Sequence, residues 1–409
     1  MFTSEIDRDK AAKLWDFGGV AYMNHGSYGA CPLPLREFQR TEREKFLISP
    51  VDYFTDIYPL RFAAARKFWA EFTRADIEGM VLVEGATLGV NTVITSLALR
   101  GFFKPGDEIL LTSHGYNACN NAVREITAMT GAVIVVAPIP FPIADKSQVT
   151  ESVLKAVTNK TRLALIDHIT SATALVYPIH DIVAGLKTRG VETLVDGAHA
   201  PAHVPIDLRK LGAAFYTGNG HKWLCAAPGC AFLHVREDFR DRIRPLNTSH
   251  GANDANPAVS AFQKAFAWPG TRDNTAWFTA GFAFDTLSAL HTQGLTALIA
   301  DNRRMALHGY KLLLDALGQK PNAPDDMLGC MATVLLPAGD SNRLRHDIRR
   351  RENMVTQTIG TSDLFGGHRG FRIAAHAYTT ADQCVRTAKV LVEALAREQR
   401  GELLELPAA

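Results

Sequence analysis

A chain of 409 residues is more than one hydrophobic core usually fills, so two domains, or a large one with a smaller companion, are expected. Its 44 basic and 42 acidic residues leave a net charge of +2, which gives no electrostatic case for nucleic acid or an anionic membrane surface. The opening residues mix acids and bases without an apolar stretch, no apolar run reaches the roughly 18 residues of a membrane span, and six scattered cysteines lack a C-x-x-C pair, so neither a secretory signal, a membrane anchor, a disulfide framework nor a zinc knuckle is expected. Reduced thiols in a cytoplasm are the simplest reading.

In chain order, the alternation of elements begins near residue 80. Residues 85–99 read as a helix, with apolar Leu88, Val90, Val93, Ile94 and Leu97. A strand at 108–112, a helix at 118–129, a valine-rich strand at 131–137 and a helix at 152–157 follow. Then come a strand at 162–167, a helix at 181–189 and strands at 191–196, 213–217 and 230–235. Buried strands separated by helices of about ten residues predict an α/β fold with a mainly parallel sheet covered on both faces. In such sheets ligands sit beyond the carboxyl ends of the strands. Past residue 280 the texture changes. A long helical stretch over 277–317 leads to strands at 331–336 and 371–374 and an amphipathic helix at 382–397. The expected division is a large domain over 45–280 and a small α+β domain built from 1–44 and 281–409, with the early residues packing near the late ones.

Three stretches offer chemistry. Thr217-Gly-Asn219-Gly-His221-Lys222-Trp223 follows a strand and flanks a lysine with glycine, as suits close approach of backbone to a ligand. A lysine held in a desolvated pocket loses proton affinity and becomes an amine nucleophile; in water it is only a surface charge. Neither a P-loop nor a G-x-G-x-x-G fingerprint is complete here. Asp196 ends an apolar strand, where a carboxylate either faces a protonated ring nitrogen or merely closes an Asx turn. His199 and His203 are four apart, but Pro201 between them argues against one helix presenting both, and no metal is expected. Ala86 and Thr87 open the 85–99 helix, whose unpaired N–H groups suit a phosphate.

Taken in order, phosphate-type helix start, strand-end aspartate and glycine-flanked lysine resemble the class V aminotransferase family of pyridoxal-phosphate (PLP) enzymes, of fold type I. Within it, the stretches 22–32 (YMNHGSYGACP), 196–201 (DGAHAP), 220–223 (GHKW) and 268–273 (WPGTRD) are similar to the isopenicillin N epimerase-like branch. The resemblance implies a seven-stranded, mainly parallel sheet sandwiched by helices. It also implies that Lys222 carries PLP as a Schiff base and that Asp196 binds the pyridinium nitrogen. His199 would contact the phenolic-oxygen side, Tyr116 would stack on the ring, and Ala86, Thr87, Asn219 and His221 would surround the phosphate. Thr271 would reach the phosphate from the other subunit of a homodimer with shared active sites. Arg372 would grip the α-carboxylate of an amino-acid substrate. Ser171 stands where related desulfurases carry asparagine near the ring. Asn24 and His25 are expected on the substrate side.

With PLP, the fate of the carbanion at Cα decides the reaction. An amino-acid epimerase or racemase is favoured, with a carbon–sulfur lyase acting on cysteine conjugates or sulfoxides as the alternative and an aminotransferase ranked below both. Cysteine desulfurase is disfavoured, because residues 356–372 contain no cysteine to act as the mobile nucleophile. A dinucleotide-dependent dehydrogenase lacks its fingerprint, and a non-catalytic binding module would not need Lys222 with Asp196.

Overall fold

A computed structural model describes residues 3–407. Its centre is a seven-stranded sheet. In spatial order the strands are Met80–Val83, Ala231–Val235, Phe215–Asn219, Glu192–Asp196, Thr161–Asp167, Glu108–Thr112 and Val133–Ala137. Ala231–Val235 runs antiparallel to both neighbours, and the remaining pairings are parallel. Successive residues in the strands fall into two separate apolar clusters. Leu82, Leu110, Ile166, Val195 and Tyr216 join one; Val81, Ile109, Leu165, Leu194 and Phe215 join the other. That alternation is the pleat of a sheet with a core on each face. Helices Ala86–Leu99 and Asn117–Thr130 cover one face; Tyr58–Phe72, Ser147–Lys155 and Ile179–Lys187 cover the other. Truncating a buried leucine such as Leu110 or Leu165 to alanine should cost about 2–5 kcal/mol.

A second, three-stranded antiparallel sheet, Gln357–Ile359, Arg369–Ala374 and Met331–Leu336, lies beyond the strand ends. The early chain is tied to this part. Ala21–Tyr22 pairs with Met354–Val355, and Asn24 bridges Ala374. Helix Ala381–Gln399 opens on a capping box between Thr380 and Gln383.

Several elements differ from expectation, each for a local reason. The helical stretch over 277–317 is interrupted: Thr279–Ser288 ends, and Leu295–Leu317 begins after Gly294, whose φ is 78°. The His291 ring accepts the Gln293 amide in the gap, which replaces helical hydrogen bonding there. The helix expected at 152–157 starts earlier, as Ser147–Lys155, because Gln148 accepts the Ala144 and Asp145 amides at its entrance. The strand expected from 131 starts at Val133, since Gly131 is the left-handed cap that closes Asn117–Thr130. Helices Leu33–Ile48, Tyr58–Phe72 and Ser341–Glu352 were not anticipated; the last contains few apolar residues to mark a period.

Candidate active site

The carboxyl ends of the parallel strands carry the site. Thr112, Asp167, Asp196 and Asn219 are the last residues of four strands. The lysine loop follows Asn219. Gly220 could not be larger, because a Cβ would meet Trp69 at 2.8 Å and Cys230 at 3.0 Å. Gly29, at φ 73°, lets the early chain press on the same loop: a Cβ there would lie 2.0 Å from the His221 carbonyl oxygen. Lys222 is therefore fixed by backbone packing from two sides.

Lys222 Nζ lies 3.0 Å from His199 Nε2. The Trp223 indole donates to His199 Nδ1 at 3.2 Å. An indole N–H only donates, so Nδ1 holds a lone pair and the imidazole proton sits on Nε2. Burial keeps His199 neutral, with its pKa well below the ordinary histidine value. Nε2–H then faces Lys222, which can accept only as an uncharged amine. Consistently, desolvation lowers Lys222 to about 8, against an opposing pull from Asp196.

Asp196 is buried. Its Oδ1 accepts the Ala198 amide at 2.9 Å and its Oδ2 accepts the Cys119 thiol at 3.2 Å. Beside it, in register on the next strand, stands Asp167, also buried. Burial and the Asp196 charge hold the Asp167 carboxyl well above the ordinary aspartate range, while hydrogen bonds including one from the Tyr116 amide oppose the rise. The Asp167 carboxyl thus meets the start of helix Asn117–Thr130, where Tyr116 is the N-cap. Sequence reasoning missed Asp167, although it ends a strand just as Asp196 does. Applying the strand-end rule to each strand would have found it.

At the opposite edge, helix Ala86–Leu99 points its N-terminus at the lysine loop. The Ala86 amide donates to Asn219 Oδ1 at 2.8 Å. Among the described residues the Thr87 and Leu88 amides meet no acceptor, and His221 Nδ1 is buried without a partner. Desolvation and Lys222 lower His221 to about 4, so it too is neutral. Unpaired donors at a helix N-terminus suit a phosphate.

The third corner is Arg372, on the strand that pairs with Gln357–Ile359 and Met331–Leu336. It donates to the Ser171 carbonyl and, more weakly, to Ser171 Oγ at 3.4 Å, to Ser27 Oγ at 3.1 Å and to Asn24 Oδ1 at 3.5 Å. Its Nε is buried without a partner, and no carboxylate among the described residues pairs with it. Desolvation lowers it to about 10, so it is charged at neutral pH. A buried guanidinium with no counter-ion is costly unless a ligand supplies the anion. A cavity of about 540 Å³ joins Lys222, Tyr116, Ser171, Asn24 and Arg372 on one wall surface.

One expected position falls elsewhere. His25 is fully buried and does not line the cavity. Its Nε2 meets the Lys222 carbonyl at 3.1 Å and its Nδ1 meets the Tyr378 hydroxyl at 2.8 Å, so it braces the lysine loop from behind. With Cys225 and His376 it forms a buried cluster, but both Nε2 atoms face backbone carbonyls of Lys222 and Trp223, which calls for protons there rather than a metal. Thr271 is exposed, next to Arg272, which pairs with Glu84 before the phosphate-type helix.

Residues 56–380 match the aminotransferase class-V family. The chain belongs to this family. It is 30% identical over 390 residues to isopenicillin N epimerase of Amycolatopsis lactamdurans, covering 91% of this chain and 95% of that one. It is 31% identical over 350 residues to a putative L-cysteine desulfhydrase of Oryza sativa, covering 82% of this chain and 71% of the relative. The fold is that of C-DES, solved as a mutant with glycine covalently linked to its PLP cofactor: the TM-score is 0.80 at 17% identity, over 94% of this chain and 98% of that one. The class-V aminotransferase family is PLP-dependent, and the chain is a PLP enzyme of fold type I. The donor set fits that cofactor: an amine of lowered proton affinity for the aldehyde, a carboxylate for the ring nitrogen, Nε2–H for the phenolic oxygen, and free amides with an orphan imidazole for the phosphate. No helix among the described residues is long and apolar enough to cross a membrane.

Proposed function

We propose that the protein epimerises or racemises an amino acid or amino-acid derivative at Cα. The observation that carries this reading is the pair formed by the Lys222 amine and the Arg372 guanidinium, which meets no carboxylate among the described residues, on one cavity. When bound, PLP supplies a sink for the electron pair released at Cα. Arg372 holds the α-carboxylate through its fork, oriented by Ser171, Ser27 and Asn24. Lys222 Nζ moves the proton at Cα on one face. Asp196 would hold the ring nitrogen and keep it protonated, and His199 would donate Nε2–H to the phenolic oxygen. Tyr116, half-exposed on the same cavity, would hold the ring by its aromatic face and serve the side opposite Lys222. Ala86, Thr87, Asn219 and His221 hold the phosphate, with Thr271 of a second copy completing it in a homodimer. The similarity to isopenicillin N epimerase over nearly both full lengths supports this choice.

A second reading is a carbon–sulfur lyase, favoured by the similarity to L-cysteine desulfhydrases. Desulfurase chemistry is disfavoured: Cys330 and Cys384 are buried, with both thiols raised to about 12, and burial raises the partly exposed Cys31 thiol to about 11. Six free cysteines agree with a cytoplasmic location. A panel of L-amino acids and cysteine conjugates in deuterated water separates the reactions. Deuterium at Cα with loss of optical purity supports the epimerase; pyruvate with ammonia supports the lyase; a keto acid with pyridoxamine phosphate overturns both.

A further inference from the structure

We infer that the substrate carries a second anionic group at the far end of its side chain, and that Arg345 binds it. The inference rests on the cavity being an amino-acid site, and it names the class of amino acid. Three cations line the cavity, Lys222, Arg345 and Arg372, and no aspartate or glutamate does. Lys222 is assigned to the cofactor aldehyde and Arg372 to the α-carboxylate. The phosphate-type helix start at Ala86 and Thr87 does not line this cavity. Arg345 is left over.

Its surroundings do not account for it. Arg345 is exposed, and among the described residues its side chain bonds only to the neutral Asn342 side chain at 3.3 Å. The nearby Asp347 is already committed to Arg351 at 2.9 Å and Arg397 at 2.8 Å. One turn along the same helix, Arg349 is also exposed and bonded only to Asn353 at 2.7 Å. Two like charges at this spacing repel. Arg345 itself lines the cavity, and a cation there attracts anions into it.

The placement is also defined relative to Arg372. Arg372 lies opposite Gln357 in the small sheet. On the far side of Gln357–Ile359, Ser341 Oγ donates to the Ile359 carbonyl at 3.2 Å, and Thr358 Oγ1 donates to the Ser341 carbonyl at 2.9 Å. Arg345 stands one helical turn after Ser341. The backbones that carry the two arginines are therefore one strand and one helical turn apart, on a shared framework. The cavity lining from this framework mixes apolar Val355, Ile359 and Leu364 with polar Thr356 and Gln357. The lining thus offers an α-carboxylate grip, carbon surface that methylene or thioether groups can cover, and a terminal anion grip. A terminal carboxylate or sulfonate on an unbranched side chain matches it.

The test uses the PLP-loaded protein and two probe pairs that differ only in terminal charge. They are L-glutamate with L-glutamine, and S-carboxymethyl-L-cysteine with S-carbamoylmethyl-L-cysteine. Dissociation constants come from the change in cofactor absorption on rapid mixing, before any product forms, so they do not depend on which reaction follows. The wild type should bind the acid of each pair about tenfold more tightly than its amide. Arg345→Gln should abolish the preference by weakening the acids while leaving the amides unchanged, and Arg345→Lys should restore part of it. Unchanged amide binding also shows that the variants are folded. An equal affinity for acid and amide in the wild type, or a preference that survives Arg345→Gln, overturns the assignment while the amino-acid reading of the cavity stands. Absence of any absorption response to all four probes overturns that reading, and this one with it.

Discussion

The strand-end wall behind the cavity and the outer wall that lines it are built on opposite principles. The inner wall, at the strand ends of the large sheet, satisfies its own polar groups. Asp196 takes a thiol and an amide, His199 sits between an indole and the lysine, and burial beside a second acid pushes Asp167 toward its protonated form. The outer wall, from the small sheet and helix Ser341–Glu352, leaves guanidiniums without acids. A pre-organised inner wall suits a resident group that never leaves, whereas an unsatisfied outer wall suits a ligand that comes and goes with its own charge. Substitutions on the inner wall should therefore alter cofactor chemistry, and those on the outer wall substrate affinity.

The largest expected effect is at Lys222. Lys222→Ala should lower turnover about 10³-fold, measured as Cα proton exchange, and abolish reductive attachment of the cofactor. Asp196→Asn comes next, at about 10²-fold in turnover, because the ring nitrogen loses its counter-charge in a buried place. If either variant changed only the substrate affinity, the contrast between the walls would fail. Arg372→Gln should raise KM about 10- to 100-fold with a smaller change in kcat, read by steady-state kinetics.

Uptake of cofactor by cofactor-free protein should follow the uncharged fraction of Lys222. With the amine at about 8, the uptake rate should rise about fivefold from pH 7 to pH 8 and level off above pH 9. An ordinary lysine would instead continue to gain with pH through 10. The smallest effect belongs to Asp167→Asn. Replacing an acid that burial pushes toward its protonated form by a neutral amide of the same shape should change turnover by less than about threefold, unlike the same substitution at Asp196. A loss as large as that at Asp196 would mean that Asp167 is ionised.

The inner wall was far more legible in the sequence than the outer one. Strands such as Leu163 to Asp167 and Leu194 to Asp196 are apolar runs that end abruptly in an acid, so both element and site are visible along one stretch of chain. Glycines beside Lys222 mark close packing in the same local way. The outer wall is assembled from distant pieces: Asn24 and Ser27 meet Arg372 across more than 340 residues, and Gln357 joins them only through sheet register. The Arg345 helix has too few apolar residues to show a period. His25 was visible in its motif, but its place behind the lysine loop depends on Gly29 letting two segments touch, which no spacing rule expresses.

The most direct measurement is borohydride reduction of the PLP-loaded protein, followed by proteolysis and mass spectrometry. A single pyridoxyl group on the peptide containing Lys222 is the expected result. Attachment to another lysine, with Lys222 unmodified, would contradict the account.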